Sequence, residues 1–167
     1  MPIIIGNMKS INMQYDELWF VMRSMDWFYR KKTGKRFPRY KGEIIESNYR
    51  LLMQANVKII SDLAPENSLF YWYLDRKKIN AWDSTVFEQQ YVPRFIRSIV
   101  RNQDAKDRLN QLWELDRQNK TVLLVCSCQD EELCHRSILA GILYGTNISV
   151  KSSIGTNISN YFKYYQL

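Results

Sequence analysis

The sequence predicts an α/β fold, a single three-layer domain with a mostly parallel sheet flanked by helices. Two observations predict it. Short apolar runs of strand length, Ile3–Gly6, Val57–Ser61 and Thr121–Ser127, are separated by longer stretches whose apolar residues recur at helical spacing. Strands joined through helices favour parallel pairing, because a crossover helix returns the chain to the same end of the sheet. The length, 167 residues with 46% hydrophobic, suits one substantial core.

Ile3–Gly6 is read as the first strand. Tyr15–Tyr29 carries apolar residues at helical spacing, with Trp19, Met22, Met25 and Phe28 expected inward. Glu43–Gln54 is read as a second helix, Val57–Ser61 as a strand and Ser68–Arg76 as a further helix. Asp83 and Val86 open another helix that runs to about Val100, and Pro93 within it predicts a kink or a break. Asp104–Gln118 has the pattern of a charged amphipathic helix leading into the strand at Thr121. Ser137–Leu143 suits a helix closed by Gly145, and Asn147–Lys151 suits a last strand. The tyrosine-rich tail, Tyr161–Leu167, follows no regular period.

The formal charge of +7 and the pI of about 9.3 favour polyanionic partners. The excess is concentrated in residues 30–41, which hold seven cations and no acid, with Phe37 and Tyr40 among them. Lys31, Lys32, Lys35, Arg36, Arg39 and Lys41 fit phosphate contacts, and Phe37 or Tyr40 fits stacking on a base. A solvated basic loop is the competing reading. No apolar stretch is long enough for a membrane helix, and Met1-Pro-Ile-Ile-Ile5 lacks a secretory leader. Three cysteines, an odd number, do not form a disulfide framework, so a reducing, cytoplasmic setting is expected.

The only histidine lies in Cys134-His135-Arg136-Ser137, one polar turn after the Thr121–Ser127 strand. A strand–turn–helix puts its turn at the carboxyl edge of the sheet, where open α/β sheets bind ligands. There His135 is the candidate acid/base, with Cys128 across the turn as a candidate reactive thiol. Arg136, Ser137 and Ser127 are candidate phosphate donors near a helix start. Asp62, after the Val57–Ser61 strand, is expected to orient His135 or to act as a base. Asn7 and Lys9, after the first strand, belong to the same edge. Adjacent residues on a helix project about 100° apart, which argues against Cys134 and His135 forming a dyad. Cys126, Cys128, Cys134 and His135 are zinc-type ligands, but their spacing matches no familiar finger or ribbon. Arg136 would also repel a dication, so neither metal nor cofactor is expected.

Leu63-Ala-Pro65, Leu69, Lys78-Ile-Asn-Ala-Trp82 with Phe87 and Tyr91, Val122-Leu-Leu-Val-Cys126 and Cys134-His-Arg136 occur in that order. The series resembles the family known as domain of unknown function 488, over roughly residues 57–145. The resemblance implies a compact α/β domain suspected of nucleotide or nucleic-acid processing, without a settled reaction. Taken together, the sequence predicts a hydrolase or transferase acting on a phosphate-containing nucleotide or nucleic acid. The alternative is a non-catalytic nucleic-acid or nucleotide binding protein, such as a phage-encoded accessory factor, that uses the same surface. Substrate, reaction type and oligomeric state are left open.

Overall fold

In the computed structural model, which describes residues 3–22, 54–128 and 130–165, five strands form one all-parallel sheet. They are β1 (Ile3–Asn7), β2 (Glu17–Phe20), β3 (Val57–Ile59), β4 (Val122–Cys126) and β5 (Val150–Ser152), in the order β3-β2-β4-β1-β5. Every residue of β4 is buried, as a continuous apolar run at the centre of a covered parallel sheet should be. Its register pairs Leu124 with Ile5 of β1 on one side and with Trp19 of β2 on the other. The α/β class read from the sequence is the class observed.

Among the described residues the α-helices are α1 (Asn67–Lys78), α2 (Ser84–Val86), α3 (Val92–Arg101), α4 (Gln103–Arg117) and α5 (His135–Gly145). Their buried residues join one core, in which Leu69, Phe95, Ile99, Leu112, Ile138 and Leu143 meet Ile5, Trp19 and Leu124 of the sheet. The opposite face carries Leu18, Phe20, Leu123 and Val125, packed against Met8, Ile11 and Tyr15. The helix expected at Glu43–Gln54 lies almost wholly outside the described residues.

Two expectations need correction. Tyr15–Tyr29 does not begin as a helix: Glu17–Phe20 is strand β2, and residues 23–29 lie outside the described part. Leu18, Trp19, Phe20 and Val21 are all fully buried, because both faces of this inner strand are covered. Continuous burial erases the alternation that marks a half-exposed strand, and such a run is hard to tell from a buried helix. Pro93 does not break its helix. The preceding turn, Phe87–Tyr91, is π-helical, and the Val92 amide donates to the Phe87 carbonyl five residues back. Pro93 then falls in the first turn of α3, where a missing N–H is tolerated.

The tail is ordered through a 3₁₀ segment, Ile158–Tyr164, that packs along α5. Contact is closest at Gly141, where an added Cβ would lie 2.0 Å from the Tyr161 carbonyl oxygen. The left-handed turn after α5 is made by Asn147 (φ 65°) rather than by Gly145. Gly145 has a different constraint, since the Tyr165 ring lies where its side chain would be.

Candidate active site: a buried Cys-His-Arg cluster

β4 ends at Cys126, the chain turns through Cys128, and α5 begins at His135. The turn is fastened by a buried carboxylate. Glu131, 4% exposed, accepts from Ser152 Oγ at 2.6 Å and from the Tyr161 hydroxyl at 2.8 Å. The cysteine-bearing turn is thereby tied to β5 and to the 3₁₀ segment.

Cys134 is the N-cap of α5, and its backbone is extended (φ −123°, ψ 148°). It is therefore not a helical neighbour of His135, and, contrary to the expectation from helical spacing, the two side chains meet. The His135 Nδ1 atom lies 3.5 Å from the Cys134 sulfur. On the other side of the ring, Nε2–H donates to the Val21 carbonyl at 2.6 Å, which leaves Nδ1 facing the thiol. Phe95 of α3 covers the imidazole, with ring centroids 5.5 Å apart.

Arg136 is 1% exposed and reaches back across the turn. Its guanidinium donates to the Gly6 carbonyl of β1, to the Cys128 carbonyl at 3.0 Å and, through Nε, to the Cys134 sulfur at 3.4 Å. The charge expected to meet a substrate phosphate is directed instead at a sulfur and two backbone oxygens. Ser137, fully buried, donates to the Cys134 carbonyl at 2.8 Å and steadies the first turn of α5.

The electrostatics separate the three thiols. Burial alone would raise Cys134, but hydrogen bonds from Cys126 and Cys128 and the nearby charges of His135 and Arg136 hold it well below the ordinary thiol value. The amino end of α5 adds a favourable field. Cys126 is pushed well up by its bonds to the other two sulfurs and by burial. Cys128 is drawn down by its bond with Cys126, yet its bond to Cys134 and its burial outweigh this and push it up to about 12. The arrangement is one electron-rich sulfur, Cys134, receiving hydrogen bonds from two protonated thiols. Cys126 and Cys128 stand 3.7 Å apart, and Cys128 alone of the three is half-buried rather than buried.

Cys126, Cys134 and His135 bring their ligand atoms within 4.8 Å of one another, a donor set of zinc type. The Arg136 Nε–H already donates to the Cys134 sulfur and places a positive charge 3.4 Å from one of the three ligand atoms.

The remaining candidates are dispersed. Asp62, on the 3₁₀ turn Ser61–Leu63, is brought to Arg108 (3.4 Å) rather than to His135, whose orienting partner is the Val21 carbonyl. Asn7 caps a short 3₁₀ turn by accepting from the Lys9 amide at 2.9 Å, and the Lys9 side chain is exposed. Ser127 is half-buried just beyond β4. Lys31, Lys32, Lys35, Arg36, Phe37, Arg39, Tyr40 and Lys41 lie outside the described residues. One residue that the sequence reading missed adjoins the sulfurs. Tyr73 hydrogen-bonds Cys128, and Trp82 packs edge-on against Tyr73 at 4.6 Å. Tyr73 lies in the Ser68–Arg76 segment, which reads only as a helix, whereas Trp82 belongs to the series that carries the family resemblance.

A family profile described as the Active DUF488-N3 subclade matches residues 39–146. The chain belongs to the DUF488 family. The matched span runs from before β3 to just past α5 and contains every member of the cluster. No curated protein and no solved structure gives a significant match. Among the described residues, no helix is long and apolar enough to cross a membrane.

Proposed function

We propose that this DUF488 chain is an enzyme that processes a phosphate-containing nucleotide or nucleic acid by thiol chemistry. The observation that carries the reading is the Cys134 sulfur, held electron-rich between Arg136 Nε and His135 Nδ1 at the carboxyl edge of a parallel sheet. Structural cysteines in a core have no need of an arginine and a histidine aimed at one sulfur, whereas reactive ones do.

Cys134 itself is buried, so the reading assigns attack to Cys128, the half-buried thiol hydrogen-bonded to it. As Cys128 Sγ attacks the substrate phosphorus, a P–S bond forms, the P–O bond to the leaving group breaks, and the Cys128 proton passes by way of Cys134 to the departing oxygen. The thiol becomes a nucleophile without releasing charge into solvent. His135 Nδ1 can then give or take the proton at Cys134, while Nε2 stays fixed on the Val21 carbonyl. Arg136 compensates the resting thiolate. The +7 charge supports a phosphate-bearing substrate.

The test is turnover on a panel of nucleoside phosphates and phosphorylated oligonucleotides, with intact-mass detection of a covalent adduct. Cys128→Ser and Cys134→Ser should each abolish turnover while leaving ligand binding intact, and the adduct should map to Cys128. A wild-type protein that binds oligonucleotides but turns over none of the panel would be a binding protein, and the enzymatic reading would fail.

A further inference from the structure

Helix α3 has a second face that the thiol cluster does not use. It presents Phe95 and Ile99 to the core, with Phe95 against His135, and presents Arg94, Arg97 and Arg101 on its other side. Those three arginines and Ser98 line a cleft of about 140 Å³ against Glu66 and Leu69 at the start of α1. The cleft lies between the amino end of α1, the first α-helix after β3, and the helix whose Phe95 packs against His135.

We infer that this cleft is a subsite for one phosphate group of the substrate, next to but separate from the thiols. The inference rests on the nucleotide or nucleic-acid reading above and adds where the phosphate is held. Three arginines line one small space, and none of them forms an ion pair with a described carboxylate. The described acids that pair with cations elsewhere are Glu17, Asp62 and Glu88. Arg94 is held in place by the Trp72 ring, 5.2 Å from its guanidinium carbon, so less side-chain freedom is lost on binding. Ser98 spends its hydroxyl proton on the Phe95 carbonyl at 2.7 Å, which leaves the arginines as the donors.

Size decides what enters. Pockets that enclose a whole drug-sized ligand start at roughly 300 Å³, so this cleft admits a phosphate and leaves the attached sugar and base outside. Arginine forks match phosphate oxygens in pairs. The lining carries three positive charges and one negative, and Glu66, exposed at the rim, opposes the anion. Because phosphate contacts position a nucleic acid without reading its sequence, the subsite would fix the register of a strand whose neighbouring atoms reach Cys128.

The experiment is a fluorescence-anisotropy titration of a labelled single-stranded oligonucleotide onto the full chain at several salt concentrations. Arg97→Ala/Arg101→Ala, which keeps the arginine stacked on Trp72 and leaves the core side of α3 intact, should weaken binding tenfold or more. It should also flatten the slope of log affinity against log salt by about 0.7 for each phosphate no longer neutralised. Glu66→Gln should tighten binding. Lys106→Ala/Lys120→Ala, removing two exposed cations of α4 and the turn beyond it, should leave both readings unchanged. Competition by ATP or by unlabelled oligonucleotide tells whether a free nucleotide or a strand supplies the phosphate.

Loss within twofold for the arginine variant, or equal loss for the lysine control, would overturn the subsite, as would poly-glutamate competing as well as the oligonucleotide. This readout is binding alone, so it can fail while Cys128→Ser still abolishes turnover. The subsite can likewise stand if thiol chemistry is refuted.

Discussion

Replacing Arg136 by Met should separate the two tasks of the guanidinium, supporting the backbone and supporting the thiolate. Met fills similar space but donates no hydrogen bond. The Gly6 and Cys128 carbonyls lose their donor, and Cys134 loses both a hydrogen bond and a compensating charge. A buried acceptor left unpaired costs about 1–3 kcal/mol, and removing one partner of a buried charge pair costs about 3–5 kcal/mol. A loss of about 3–5 kcal/mol in urea unfolding at neutral pH is therefore expected.

The pH dependence carries the sign. A thiol held below its ordinary value of 9.0 contributes stability that is fully present above that value and is lost as pH falls through the lowered one. The variant should lack most of this contribution, so the stability gap between wild type and variant narrows as the pH is lowered. Thiolate absorbance in the ultraviolet, followed against pH, should show the wild-type midpoint moving up in the variant. Arg136→Lys should recover part of that midpoint but little of the stability, because an ammonium keeps the charge without spanning three acceptors. An unchanged thiolate midpoint in Arg136→Met would refute the assignment of the charge to Cys134, and a stability loss under about 1 kcal/mol would refute the bracing role.

Gly141→Ala should destabilise by about 1–3 kcal/mol through overpacking against the Tyr161 carbonyl; unaltered urea unfolding would show that the tail shifts freely. Zinc analysis after dialysis of the purified protein should find no stoichiometric metal, and one retained equivalent would exclude the thiolate reading. Replacing Lys31, Lys32, Lys35 and Arg36 together with Ala should weaken oligonucleotide binding and flatten its salt slope, whereas Phe37→Ala should weaken it by about 1–3 kcal/mol at constant slope. Binding unaffected by the four-alanine change would make residues 30–41 ordinary solvated surface.

The α/β class was legible because β1, β3 and β4 are short apolar runs set among helical periods. β2 was not, since burial on both faces left Leu18-Trp-Phe-Val21 without an alternation to read. The site was legible as a segment but not as a geometry. Cys134-His135-Arg136 stood out, yet taking all three as helical turned the thiol and imidazole apart, when the helix starts one residue after Cys134. The orienting partner of His135 is a backbone carbonyl at Val21, and no side-chain inventory could reveal it. The arginines of α3 did not stand out in the sequence, because their convergence depends on how α1 packs beside them.

The carboxylate of Glu131 also sets an order of assembly. It lies between the second and third cysteines, but both of its described partners come from later in the chain, Ser152 and Tyr161. While the chain is being synthesised, β4 and the thiols leave the ribosome before anything exists to anchor the turn between them. Until residue 152 has followed, Glu131 lacks both bonds that seat it, and until residue 161 it lacks the second. The sulfur environment is thus a late product of folding, completed after the sheet strands β1 to β4 can already pair. A nascent chain paused before Ser152 should exchange the backbone amides of residues 130–134 faster than the full chain does, because neither bond to Glu131 exists yet.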